Sequence, residues 1–112
     1  MDTTLIAVMT TTESMTAAQK IARALVERKL AACVQVSEIE SFFNWEGEAQ
    51  NEREFRVLVK TTKARYKDVE AAIREMHAYD LPAIVAFEFT DAHGPYAEWI
   101  AENSSASGST GA

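Results

Sequence analysis

The stretch HAYDLPAI, residues 77–84, places a histidine, a tyrosine and an aspartate within four consecutive positions. An imidazole can bind a transition metal, a phenol can donate a hydrogen bond, and a carboxylate can accept one. His77, Tyr79 and Asp80 therefore form a candidate ligand-binding face. Pro82 fixes the backbone at the start of the aliphatic residues that follow, so the same stretch also predicts a connection from a helix into a strand.

The two candidate metal ligands are Cys33 and His77. A thiolate and an imidazole are donors that suit copper, and Cu²⁺ binds such sites most tightly among the divalent first-row ions. Each residue also has a simpler structural interpretation. Cys33 can be a small buried hydrophobe in a strand, and His77 can donate to a backbone carbonyl near a helix end. The sequence leaves both interpretations open.

Other kinds of chemistry lack the residues that they need. Cys33 is the single cysteine, which excludes an internal disulfide and the paired C-x-x-C of a metallochaperone. The four glycines form no phosphate-binding loop, and the sequence contains no G-x-S-x-G elbow. His77 and His93 are not spaced as a helical zinc pair. No nucleophile stands beside a base, so we predict that the chain is not an enzyme.

Length and composition predict one small domain. The chain has 112 residues and a formal net charge of −6, which disfavours a nucleic-acid partner. It contains no apolar run of about 20 residues that would cross a membrane. The first four residues lack the positive charges that precede a secretory segment, so we expect a cytoplasmic protein. The domain is predicted to span residues 1–103, and the Ser/Gly/Ala composition of residues 104–112 predicts a disordered tail.

Hydrophobic periodicity predicts alternating strands and helices. The apolar run at residues 5–9 indicates a strand that is buried on both faces and central in its sheet, with a Thr-rich turn after it. Apolar residues three and four apart indicate two amphipathic helices. In order, the predicted elements are a strand at residues 5–9, a helix from Ser14 or Thr16 to near Arg28, a long β-hairpin at 32–60, a helix at 64–77, a strand at 83–89 and a short helix that begins at Gly94-Pro95.

This order, β-α-β-β-α-β followed by a helix, predicts an α+β fold. It is the plan of the ferredoxin-like βαββαβ sandwich, in which an antiparallel four-stranded sheet carries both main helices on one face. The chain adds an extra C-terminal helix and a long hairpin between its second and third strands. Because that hairpin is longer than a sheet of short strands requires, part of it should project from the domain with exposed edge groups.

The alternation of apolar residues changes within the hairpin. Val34 and Val36 share one face of the second strand, whereas Phe43 and Trp45 belong to the other alternation. A bulge or bend near Ser37-Glu38 would bring both sets to one face. The projecting part also carries the two aromatic residues, and we expect something to cover it.

Five segments of the chain together resemble the CutA family of divalent-cation-tolerance proteins over residues 5–103. The segments are ERKLAACVQV, FFNWEGE, FRVLVKTT, HAYDLPAIVAF and GPYAEWI, in that order. The resemblance implies a ferredoxin-like subunit, a tight homotrimer, a cytosolic location in bacteria and a role in tolerance of copper and other divalent metals. Projecting strands could then pair with the edges of neighbouring subunits under closed cyclic symmetry.

The resemblance also implies a polar cluster near a cleft between subunits. Carried onto this sequence, that cluster consists of Cys33, Trp45, Lys60, His77, Tyr79 and Asp80. The chain departs from the family pattern at Ala78, where a proline is usual, at Asp80, where a glutamate is usual, and at Phe43-Asn44, where Tyr-Trp is common. The shorter carboxylate, together with the loss of one phenol hydroxyl and one indole, weakens the case for a metal site with the family's geometry.

Two functional hypotheses follow from different classes. The first is a non-enzymatic trimeric metal-handling protein with weak copper binding through Cys33 and His77. The second is a signalling module that binds a small anionic metabolite between subunits, with Lys60, His77 and Tyr79 in the cleft, as in the trimeric PII proteins. No resident cofactor is predicted, and Cu²⁺ or another divalent cation is the candidate ligand. A stable assembly scaffold is a third alternative.

Overall fold

The computed structural model describes residues 3–105 and contains four strands and three α-helices in that part of the chain. The elements are β1 Leu5–Thr12, α1 Met15–Glu27, β2 Cys33–Trp45, β3 Glu48–Thr62, a 3₁₀ turn at Lys63–Arg65, α2 Tyr66–Met76, β4 Ile84–Glu88 and α3 Gly94–Glu102. The predicted order of elements is confirmed. Pro95 lies in the first turn of α3, where its missing N–H leaves no helical hydrogen bond unmade.

The four strands form one antiparallel sheet in the order β2-β3-β1-β4. β1 is central, as its apolar run predicts. Both long helices cover one face of the sheet, which we call the helix face. There Ile21, Leu25 and Ile73 pack with Val8 and Val59 in the core. This arrangement confirms the predicted ferredoxin-like sandwich.

The start of α1 is fixed by Ser14 rather than Thr16. The Ser14 Oγ accepts a hydrogen bond from the Ala17 N–H at 3.1 Å and so satisfies one of the free donors of the first helical turn. β1 is also longer than the sequence predicts, because the threonines at 10–12 continue the strand instead of forming a turn. Their β-branched side chains suit a strand, and each of them pairs with β3.

The predicted bulge near Ser37-Glu38 is wrong. β2 pairs with β3 without interruption from Cys33 opposite Lys60 to Trp45 opposite Glu48. Since side chains alternate strictly along an unbroken strand, Val34 and Val36 lie on the helix face and Phe43 and Trp45 on the opposite one. We call that opposite side the open face. The apolar residues therefore change from one face of β2 to the other along the strand, while the backbone stays regular.

Part of the hairpin extends beyond the rest of the sheet. β1 accompanies β3 only to the pair of Thr12 with Phe55, so residues 39–54 form a two-stranded ribbon that we call the arm. A two-residue turn closes its end, with positive φ at both Glu46 and Gly47 as a tight hairpin requires. The molecule is accordingly elongated, with extents of 44 × 30 × 21 Å.

The open face is covered only in part by α3. Ile100 is buried, whereas Tyr96 and Trp99 are 38% and 42% exposed. Val85 and Phe87 of β4 lie on the same face, opposite Met9 and Ala7 of β1, and they are about half exposed. The larger part of the open face is thus an apolar surface.

The C-terminal boundary lies beyond the predicted one. Ser104 is buried and its N–H donates to the Ala101 carbonyl, so the fold includes this residue. The remainder of the predicted tail, from residue 106 onward, lies outside the described residues. Within residues 3–105, no helix has the length and apolar character that spanning a membrane would require.

Candidate functional site

His77 lies at the end of α2 and has both ring nitrogens engaged within the chain. Its Nε2 is 2.7 Å from the Thr11 carbonyl oxygen, and its Nδ1 is 3.1 Å from the Tyr79 amide nitrogen. A carbonyl can only accept and an N–H can only donate, so these partners assign the proton to Nε2 and the lone pair to Nδ1. This geometry corresponds to the structural role considered for His77, in which it donates to a backbone carbonyl near the end of a helix.

Tyr79 connects the same segment to β3. Its hydroxyl donates to the Glu54 carboxylate at 2.9 Å, and its ring lies 4.8 Å from the His77 ring at a tilt of 51°. Burial raises the pKa of the Tyr79 phenol well above its usual value, and the hydrogen bond to Glu54 and the negative charge of that carboxylate raise it further. Tyr79 is therefore a neutral donor under physiological conditions.

Glu54 is a functional candidate that the sequence did not indicate. It alternates with the apolar residues of β3, which predicts a solvated position, yet it is only 9% exposed. The Tyr79 hydroxyl contacts its carboxylate. The length of β3 could have indicated this position. Because β3 is longer than β1, the residues of β3 beyond the end of β1 lack a neighbouring strand on that side, and the connection after α2 can pack there.

Cys33 and Lys60 form a second group. They are cross-strand partners on the open face, at the opposite end of β1 from His77. The Lys60 ammonium lies 3.3 Å from the Tyr96 hydroxyl and 5.5 Å from the centre of the Tyr96 ring, which in turn stacks on Trp99. A cation over an aromatic face is an attractive contact, and here it joins α3 to β3.

The predicted cluster does not converge within one subunit. Cys33 is level with Ala7 of β1, whereas His77 binds Thr11, four residues and about 13 Å further along the strand. Trp45 lies twelve residues from Cys33 along β2, about 40 Å away at the end of the arm. Asp80 is exposed beside Tyr79. The described residues 3–105 contain no group of three or more His, Cys, Asp or Glu side chains placed to hold a metal ion.

The polar groups therefore stand in three places: the His77, Tyr79 and Glu54 group, the Cys33 and Lys60 pair, and the end of the arm. Of the two predicted metal ligands, only the Cys33 thiol has no hydrogen bond to release among the described residues of a single subunit. His77 could bind a metal only by releasing one of its two hydrogen bonds. A site that used both Cys33 and His77 would therefore need a second copy of the chain.

A family model described as CutA1 divalent ion tolerance protein matches residues 6–103. The divalent-cation tolerance protein CutA of Archaeoglobus fulgidus is 38% identical to the chain over 92 residues, which cover 82% of this chain and 90% of that protein. The protein of the same name from Thermus thermophilus is 37% identical over 97 residues, covering 86% and 94% respectively.

Solved structures agree with the sequence comparisons. A structure of the periplasmic divalent cation tolerance protein CutA from Archaeoglobus fulgidus matches with a TM-score of 0.87 at 35% identity, covering 89% of this chain and 98% of that one. A Thermus thermophilus structure, described as a divalent cation tolerance protein, matches with a TM-score of 0.85 at 35% identity and covers 88% and 97%. The likeness therefore extends over the sheet, the arm and the helices.

The raised pKa of Tyr79 predicts an alkaline transition. Because the folded chain holds this proton more tightly than the unfolded one, the stabilisation is complete below pH ~10 and is lost as the pH rises above it. We expect absorbance to show one tyrosine that ionises only as the protein unfolds. Tyr79→Phe should remove that step, and Tyr66→Phe, which loses a similar bond to Glu70, is the control. Unchanged titration in Tyr79→Phe would contradict the assignment.

Proposed function

Because the chain belongs to the CutA1 divalent ion tolerance family, we propose that it acts as a non-enzymatic homotrimer in the tolerance of divalent metal ions. The family description and the relatives' names refer to ion tolerance and to no reaction. We place the protein in the cytoplasm, where its unpaired Cys33 thiol would stay reduced. The Archaeoglobus fulgidus relative is described as periplasmic, so the two proteins would act in different compartments.

The change of the apolar face along β2 carries the proposal of an assembly. On the arm, the open face presents Phe43 and Trp45, which are 37% and 49% exposed. Val85 and Phe87 extend the apolar open face across the body of the subunit. A two-stranded ribbon is marginally stable alone in water, and both edges of the sheet carry unpaired backbone groups. Packing against further copies would cover these groups, and closed cyclic symmetry ends the assembly at a defined size.

Copper binding follows from the same assembly. Cys33 and His77 lie at opposite ends of β1 in one subunit, so we propose that they meet across a cleft between two subunits. The site would be weak, because His77 must give up either the Thr11 carbonyl or the Tyr79 N–H to free a nitrogen. Trp45, Lys60, Tyr79 and Asp80 would complete the walls of that cleft.

If the assembly is correct, substitutions of the neighbouring residues Phe42 and Phe43 should differ in their effect on dissociation of the subunits. Phe43→Asn should favour dissociated subunits, because an aromatic residue at the centre of an interface contributes about 2 kcal/mol or more. Phe42→Asn is the matched control, since Phe42 lies on the helix face and is 74% exposed. Sedimentation equilibrium at micromolar concentration measures both. We expect three times the 12.4 kDa subunit mass for the wild type and for Phe42→Asn. A folded wild-type monomer would contradict the proposal.

The copper site predicts that two distant residues share one binding event. Anaerobic titration calorimetry of the reduced protein with Cu²⁺ should give a weak site whose affinity falls at least about tenfold in Cys33→Ser and in His77→Ala. His93→Ala provides the control for nonspecific imidazole binding. If all four proteins gave the same isotherm, Cys33 and His77 would not be copper ligands.

A second candidate function is binding of a small anionic metabolite between subunits, as in PII-like signalling. The observation that favours it is the Lys60 ammonium, held on the open face by the Tyr96 hydroxyl and beside the stacked Tyr96 and Trp99 rings. An ammonium beside aromatic rings is suited to a ligand that combines negative charge with a planar group. This site would use Lys60 without requiring a metal.

The anion site predicts a stabilisation that depends on Lys60. A nucleotide or organic acid that binds the folded protein should add about 2.7 kcal/mol to the free energy of unfolding at 100 times its dissociation constant. Thermal unfolding with a panel of such anions measures this, and Lys60→Met should abolish the shift. Lys67→Met, an exposed lysine of α2, is the control. A panel without any shift, or an equal shift in Lys60→Met, would exclude the second function.

A further inference from the structure

We propose that His77 and Tyr79 are positioning residues that fix the direction in which the arm leaves the subunit. They do so through a chain of hydrogen bonds that runs from β1 to Glu54 at the base of the arm. The proposal concerns the contacts within one subunit, and it holds whether or not the trimer and the copper site of the proposed function are correct.

The first step is the position of Glu54. The β1 pairing of β3 ends at Phe55, so Glu54 is the first residue of β3 beyond β1. From this point outward the ribbon is held by its own ladder. The other described side-chain hydrogen bonds and ion pairs of the arm, Arg53 with Glu38 and Asn51 with Glu40 and the Ser41 carbonyl, stay within the hairpin. Glu54 is thus at the point where a ribbon can hinge.

The second step is the strength of the contact at that point. Glu54 is 9% exposed, and a buried carboxylate is costly unless a donor satisfies it. The Tyr79 hydroxyl supplies that donor at 2.9 Å, and a hydrogen bond to a charged acceptor is stronger than one between neutral groups. Any motion of the arm that separates Glu54 from Tyr79 leaves a buried charge with fewer donors.

The third step is what holds Tyr79. Its backbone N–H donates to His77 Nδ1, its ring contacts the imidazole, and His77 Nε2 donates to the Thr11 carbonyl. Thr11 belongs to β1, the central strand of the sheet. The base of the arm is therefore connected to an interior strand of the sheet, through a segment that belongs to neither β1 nor β3.

A neutral histidine suits this arrangement. A ring with one donor and one acceptor on opposite sides spans the distance between a carbonyl in β1 and an N–H in the connection after α2. Neither a lysine nor a carboxylate could do this, because the first only donates and the second only accepts. His77 acts through Tyr79, because its two hydrogen bonds among the described residues go to Thr11 and Tyr79.

The test is hydrogen exchange, resolved by peptide, in Tyr79→Phe. Phenylalanine keeps the ring and its packing but removes the donor. We expect amides at the base of the arm, residues 50–56, to exchange about tenfold faster, while the core of β1 exchanges as in the wild type. Tyr66→Phe, which removes a tyrosine–glutamate bond of 3.0 Å within α2, should leave the arm unchanged. All variants are compared at equal protein concentration.

Two further variants complete the test. Glu54→Gln keeps an acceptor for the Tyr79 hydroxyl, so it should retain most of the arm's protection, whereas Glu54→Leu should lose it as Tyr79→Phe does. If Tyr79→Phe fails to fold, the contrast between these two variants at Glu54 decides the matter. Exchange at the base of the arm that matches the wild type in Tyr79→Phe and in Glu54→Leu would overturn the proposal, as would a uniform increase over the whole chain.

Discussion

β2 and β3 pair without interruption over the length of the hairpin, while β1 follows β3 only to Phe55. Two consequences follow from this geometry. Strict alternation sends Val34 and Val36 of the near half of β2 to the helix face, and it sends Phe43 and Trp45 of the far half to the open face. The end of β1 leaves the base of the arm without a third strand. The assembly that we propose would cover the apolar residues on the open face of the arm. The His77, Tyr79 and Glu54 group connects the base of the arm to the body where the third strand is missing.

The proposed assembly would favour a copper site, whereas the hydrogen bonds of His77 would oppose it. An assembly is the condition under which Cys33 and His77 could meet, because one subunit holds them at opposite ends of β1. The same His77 is engaged on both ring nitrogens, and its release would weaken the connection to Glu54. Copper binding and a fixed arm would therefore compete for one side chain. Such a competition would give a physical reason for a low affinity of the proposed site, and it would link metal occupancy to the geometry of the arm.

Periodicity predicted most of the fold, because the core is built by local patterns. Ile21 and Leu25 on one stripe of α1, and Val57 and Val59 at alternate positions of β3, leave little choice of face. It failed at Ser37, where a bulge was predicted from the assumption that the apolar residues of β2 all lie on one face of the sheet. It also failed at Glu54, whose burial depends on Tyr79, a residue 25 positions away in sequence. The Glu54 error comes from a contact that lies outside any local window of the sequence.

The central claim, that the far half of the arm buries its open face against other copies of the chain, can be tested on two adjacent residues. Hydroxyl-radical footprinting of the native protein at micromolar concentration reports the exposure of Phe42 and Phe43 on one peptide. In the isolated subunit their exposures are 74% and 37%, so both rings would be modified. The account predicts modification of Phe42 with near-complete protection of Phe43. Modification of both rings in proportion to these values would contradict it.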